Sequence, residues 1–137
     1  MKIGTSGLAL WGLYIALALF AVLANLQETT FRFSGPLGGL KAMFWLAFIV
    51  FLVYSVYCST QENLFRSLKS IASLHWGRQI GADLYLGLCV GLLIIFLNEG
   101  LVVALVWLLP TLIYANLAIL LYIAINFDSI VTKLLGL

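Results

Sequence analysis

With 137 residues, 64% of them hydrophobic and 9% charged, the chain has a mean hydropathy of +1.16. A soluble domain carries about a quarter charged residues, so this composition excludes an ordinary water-soluble globule and implies one integral membrane domain, residues 1–137. The formal net charge of +2 comes from basic residues scattered along the chain with no electrostatic stripe, which argues against a nucleic-acid partner and leaves the lipid bilayer as the first partner.

Charge-free runs set the spans. Ile3–Gln27 holds 25 residues, Ala42–Gln61 20, Leu84–Asn98 15 and Gly100–Phe127 28. About 20 residues cross roughly 30 Å of hydrocarbon as a helix. The first, second and fourth runs meet that alone, and the third does so by starting near Gln79 and taking Asp83 into the headgroup boundary. The expected fold is all-α, an integral membrane four-helix bundle with spans at about 5–26, 42–59, 79–98 and 101–125.

The first run also has the outline of a signal peptide, with Lys2 as a positive n-region and Val22-Leu23-Ala24 as a cleavage site. Its apolar stretch has the length of a full span, which favours a retained helix. After it, Gly35-Pro36-Leu37-Gly38-Gly39 is a turn cluster. This is not a phosphate-binding loop, because Leu40 separates Gly39 from Lys41 and no Gly-Lys-Ser/Thr ending is present. In span 2, Phe44, Trp45, Tyr54 and Tyr57 lie towards the ends, as interfacial aromatic belts do.

Between spans 2 and 3, Ser59-Thr60-Gln61-Glu62 has the form of a capping box. Leu64, Phe65, Leu68, Ile71 and Ala72 follow at helical spacing, with Arg66, Ser67, Lys69 and Ser70 on the other face. An amphipathic interfacial helix over about 60–76, ended by Gly77, is expected. Its two readings are a connector whose basic side chains snorkel to lipid phosphates and a docking surface for a partner, with the connector preferred.

Span 3 carries Gly87-Leu-Cys-Val-Gly91, the small-xxx-small spacing that lets helices approach closely in lipid. Asp83, Gly87 and Gly91 form a slowly winding stripe, so Asp83 flanks the seam. Glu99 lies about 24 Å away and about 160° around the helix, which rules out a carboxylate dyad. Arg78 and Asp83 are a candidate ion pair or polar contact, if the chain bends near Gly77 and Gly81. Asn98-Glu99-Gly100 reads as a tight turn that makes spans 3 and 4 a helical hairpin. In span 4, Pro110 is expected to kink the helix and Asn116 to offer an interhelical hydrogen bond.

The chemistry-bearing residues are sparse. His75 is the only histidine, too few for a bis-histidine haem or a zinc site. No nucleophile elbow accompanies a serine, and Cys58 and Cys89 form no CxxC pair. No catalytic, metal or cofactor site is expected. Basic residues set the orientation: with four spans, Lys2, Arg66, Lys69, Arg78 and Lys133 fall on one side, Arg32 and Lys41 on the other. Both termini are then cytoplasmic in a cell inner (plasma) membrane.

Trp76-Gly77-Arg78, then Asp83-Leu84-Tyr85 and Gly87, followed by Glu99 and a late Asn116, resembles an uncharacterised family of small multi-span bacterial inner-membrane proteins. The likeness covers roughly the second half of the chain. It implies a multi-span bacterial membrane protein and brings no activity, substrate or cofactor.

The functional expectation is a non-catalytic accessory or assembly subunit of a larger membrane complex, reaching other subunits or itself through small-residue seams. One alternative is a small oligomeric transporter or channel lined by Asp83, Asn116 and the Pro110 kink. Another is a lipid- or quinone-binding helper with an apolar ligand beside Trp45 or Trp107.

Overall fold

The computed structural model describes residues 5–25, 31–33 and 35–136. Lys2, the end of the first apolar run and Leu137 lie outside them. Among the described residues the chain is all-helical, in the order α1 (Thr5–Ala24), α2 (Gly38–Gln61), α3 (Leu64–Ala72), α4 (His75–Glu99), α5 (Leu101–Tyr114), α6 (Asn116–Ile125) and α7 (Phe127–Leu135). Three of these, α1, α2 and α4, are long and apolar enough to cross a membrane. Their exposed surface is dominated by Leu, Ile, Val and Phe, the composition that lipid-facing helices need.

The expected fourth span, 101–125, is not one helix. A continuous helix would put Tyr122 about 33 Å from Gly100 at 1.5 Å per residue, yet the Tyr122 hydroxyl donates to Glu99 Oε2 at 2.6 Å. The chain therefore reverses between α5 and α6, at Ala115, which has φ 53° and ψ −126°. Trp107 and Tyr122, on either side of the reversal, stack edge to face at 5.2 Å. α5, with 14 residues, extends about 21 Å, roughly two-thirds of the hydrocarbon thickness. It remains helical through Pro110, and the break comes five residues later.

Two crossed tyrosines hold the tip of this helical hairpin. Tyr14 donates to the carbonyl of Leu117 at 3.1 Å and Tyr114 to that of Leu10 at 2.6 Å, with the two rings 4.7 Å apart. α6 forms the core of the molecule: Leu117, Ala118, Leu121, Tyr122 and Ala124 are all buried, packed among α1, α2, α4 and α5. A 76° bend then turns α7 away from the axis of α6.

These contacts fix the ends of the bundle. Trp11 donates to Ser59 Oγ near the end of α2, whereas Lys41 in the first turn of α2 pairs with Asp128 of α7. Eighteen residues of α2 separate Ser59 from Lys41, about 27 Å. The first residues of α1 and the whole of α7 thus lie at opposite ends of the bundle. Lys133 belongs with Lys41, not with Arg66, Lys69 and Arg78 as four spans would have it.

The connector is also built differently from its motif. α2 continues through Ser59, whose hydroxyl donates to Ser55 O. The helix that follows is capped by Asn63, which accepts from Arg66 N at 3.1 Å. Glu62 accepts from Ser67 Oγ instead of closing a capping box. Gly77 sits inside α4 and does not end α3; a Cβ there would lie 2.0 Å from Ile71 O, so only glycine allows α3 to fold back so tightly.

Candidate functional site

The polar side chains that meet are at the end of α4. Leu88, Gly91, Ile95 and Asn98 are its buried residues, spaced three, four and three, which is one helical face. Asn98 is therefore carried into the core by the same stripe that buries Leu88 and Ile95. Its Nδ2 donates to Tyr122 Oη at 2.8 Å, and its Oδ1 accepts from Ser129 Oγ at 2.9 Å. Its backbone carbonyl accepts from Lys133 Nζ.

Tyr122 is fully buried and uses its hydroxyl twice, accepting from Asn98 and donating to Glu99. The bond to Glu99 is short, as hydrogen bonds to a carboxylate are. Glu99, expected in a tight turn, is exposed but anchors this network. Beside it, Lys41 Nζ donates to Asp128 Oδ2 at 2.8 Å and lies 5.9 Å from the centre of the Phe33 ring. The Lys41 side chain is 2% exposed and that of Asp128 52%. Ser129 and Lys133 are one turn apart on α7, so the helix is pinned at both positions against α4 and by Asp128 against α2.

The other end of α4 has no such clasp. From Glu62 to Gly87 no residue is buried; α3 and the first half of α4 form an arm that packs mainly on itself. Arg78 does not meet Asp83. Its Nη2 lies 2.9 Å from His75 Nδ1, and the ion pair found among the described residues is Lys41–Asp128. Asp83 is exposed on the arm. Gly77 and Gly81 lie inside the unbroken helix α4, where i, i+5 is a poor spacing for a pair.

The small-residue seam divides in two. A Cβ on Gly91 would lie 2.9 Å from Ile119 Cδ1 and Cγ2, so Gly91 is where α4 and α6 touch. Gly87 is exposed and has nothing within 4 Å of such a Cβ. Pro110 is half-buried on α5, and Asn116 is exposed at the first position of α6. Trp45, one of the expected neighbours of an apolar ligand, has a buried indole N–H with no acceptor among the described residues and packs on Phe31 and Phe48.

Sequence reading used Lys41 and Lys133 to orient the chain and passed over Tyr122, Asp128 and Ser129. Their signal was weak but present: an Asp at the start of a short amphipathic helix, with Ser and Lys four apart on one face. No family model matches this chain, and no curated protein or solved structure matches it either.

Proposed function

We propose that this chain is a non-catalytic subunit of a larger membrane assembly, and that the α3–α4 arm is its docking face. The observation that carries the reading is the unburied first half of α4. A 25-residue helix spans about 37 Å, so a hydrocarbon window of about 30 Å ending at Asn98 begins near Gln79 and takes in Asp83. A charged side chain facing lipid at that depth is costly and is normally paired or turned towards protein. Asp83 is exposed on the isolated chain, with Gly81, Ala82 and Gly87 around it offering close approach. A partner helix with a cation or hydrogen-bond donor facing Asp83 satisfies both features.

In this reading α1, α2 and α4 cross the inner membrane and the α5–α6 hairpin re-enters from the Asn98 end. The charge count becomes Lys2, Arg66, Lys69 and Arg78 against Arg32, Lys41 and Lys133, four to three. The N-terminal end is cytoplasmic, and α7 lies at the opposite surface.

Photo-crosslinking in native membranes tests the docking face. A crosslinker replacing Leu86, on the arm, is expected to give one discrete protein adduct, while one replacing Val102, equally exposed on α5, gives lipid adducts only. Lipid adducts alone from both positions would reject the arm as a docking face.

A further inference from the structure

The helix α3 leaves its apolar stripe uncovered. Ser67, which donates to Glu62, is its least exposed residue, whereas Leu64, Phe65, Leu68 and Ile71 are between 46% and 61% exposed. At about 100° per residue those four fill an arc of about 120°. Lys69 follows about 40° beyond Phe65 and Arg66 about 100° beyond it. The helix therefore carries an apolar contact surface edged by cations.

That surface sits at one depth. α2 ends at Gln61 and α4 begins at His75, so α3, about 14 Å long, joins neighbouring ends of two long apolar helices. Its last turn is fixed more closely, because Gly77 packs directly on the Ile71 carbonyl. With hydrocarbon starting near Gln79, Gly77 and the exposed Trp76 lie about 3–5 Å outside it. This is the headgroup layer, where tryptophan anchors, and the end of α3 is held in it.

Charge selects the occupant. From Gln61 to Gln79 the chain has one acid, Glu62, against Arg66, Lys69 and Arg78. Arg78 lies against His75, and neither Arg66 nor Lys69 is paired with an acid among the described residues. Long basic side chains beside an apolar stripe reach past it to phosphates. A zwitterionic lipid cancels its phosphate with its own cation. An anionic lipid leaves a surplus charge, worth about fivefold in binding for each basic residue near the surface.

We propose that α3 binds an anionic phospholipid surface, with its stripe seated among the upper acyl chains and Arg66 and Lys69 on the phosphates. Its depth rests on the membrane placement of α4 argued above. It needs no partner at Asp83, which lies deeper on that helix.

The test is spin-label accessibility on the full chain in vesicles, carrying Cys58→Ser and Cys89→Ser and one label at Leu68→Cys or at Ser70→Cys, about 160° around α3. In phosphatidylcholine mixed with phosphatidylglycerol, the Leu68 label should be reached by oxygen and shielded from a water-soluble nickel chelate, and the Ser70 label the reverse. Lys69→Gln should lower the ratio of inserted to lifted α3 about fivefold, and Arg66→Gln with Lys69→Gln about 25-fold. Neither should change it in phosphatidylcholine alone. Both residues are exposed, so these variants spare the fold. Nickel reaching Leu68 as readily as Ser70 overturns the membrane contact. Insertion equal in both vesicles and unmoved by the glutamines overturns the anionic preference. A Leu68 label that is immobile and shielded from both reagents places α3 on a second copy of the chain and overturns the lipid assignment. The adduct from Leu86 is a separate readout, so the docking face stands or falls apart from α3.

Discussion

The two halves of α4 are made from similar residues and have opposite surroundings. Leu88–Glu99 is locked against α6 and α7 by a helical stripe that ends in a hydrogen-bonded asparagine. His75–Gly87 has no buried residue at all. Each half contains one glycine of the same seam and one carboxylate, so composition does not separate them. What separates them is how much cover the described residues supply: α6 buries the second half, and among the described residues only the short α3 packs on the first, burying none of it. A glycine or an acidic residue in a span thus takes its meaning from the surface opposite it.

Gly91 and Gly87 give the largest contrast. Four added carbons at Gly91 must displace Ile119 from a starting distance of 2.9 Å, and overpacking of this kind costs about 3 kcal/mol. Gly91→Leu should therefore lower the melting temperature sharply or leave the purified chain polydisperse. Gly87→Leu, into open space, should change stability by under about 0.5 kcal/mol. Comparable melting curves for the two variants would erase the distinction between the halves.

Asn98→Leu attacks the locked half through its polar atoms. It leaves the buried Tyr122 hydroxyl without its donor, at about 2 kcal/mol for a buried group left short of a partner, and takes the acceptor from the exposed Ser129 hydroxyl. The expected outcome is a lower melting temperature with faster amide exchange at the start of α7. If Asn98→Leu melts like the parent, the network is decorative.

The reversal that brings Tyr122 to Asn98 is the part of the fold least visible in the sequence. The long apolar helices were legible because runs of 20 or more uncharged residues have few other fates. At Tyr114-Ala115-Asn116 there is no glycine, proline or charge to mark a turn, and Pro110 nearby draws attention to the wrong residue. Ala115 is held at a positive φ by tertiary contacts, the crossed bonds of Tyr14 and Tyr114 and the clasp of Tyr122 on Glu99, all of them long-range. The Lys41–Asp128 pair was missed for the same reason, since 87 residues separate the two. A substitution turns this into a sign test. In a continuous span, Ala115→Gly would destabilise by about 1 kcal/mol; at a positive-φ reversal it relieves strain of about 1–3 kcal/mol. A raised melting temperature is expected, and a lowered one would restore the single span.

The smallest effect on the isolated chain is expected in the open half, and that smallness is informative. Asp83→Asn removes a carboxylate that makes no ion pair among the described residues, so the purified chain should melt within about 0.5 kcal/mol of the parent. In the native membrane the same substitution should weaken the adduct formed from Leu86, because the charge that recruits a donor or cation is gone. An Asp83 that served only to hold α4 in this chain would behave the other way round, lowering the melting temperature and leaving the adduct intact. Comparing the two readouts on one variant therefore asks whether the first half of α4 is finished by lipid or by protein, a question that the stability of the second half cannot answer.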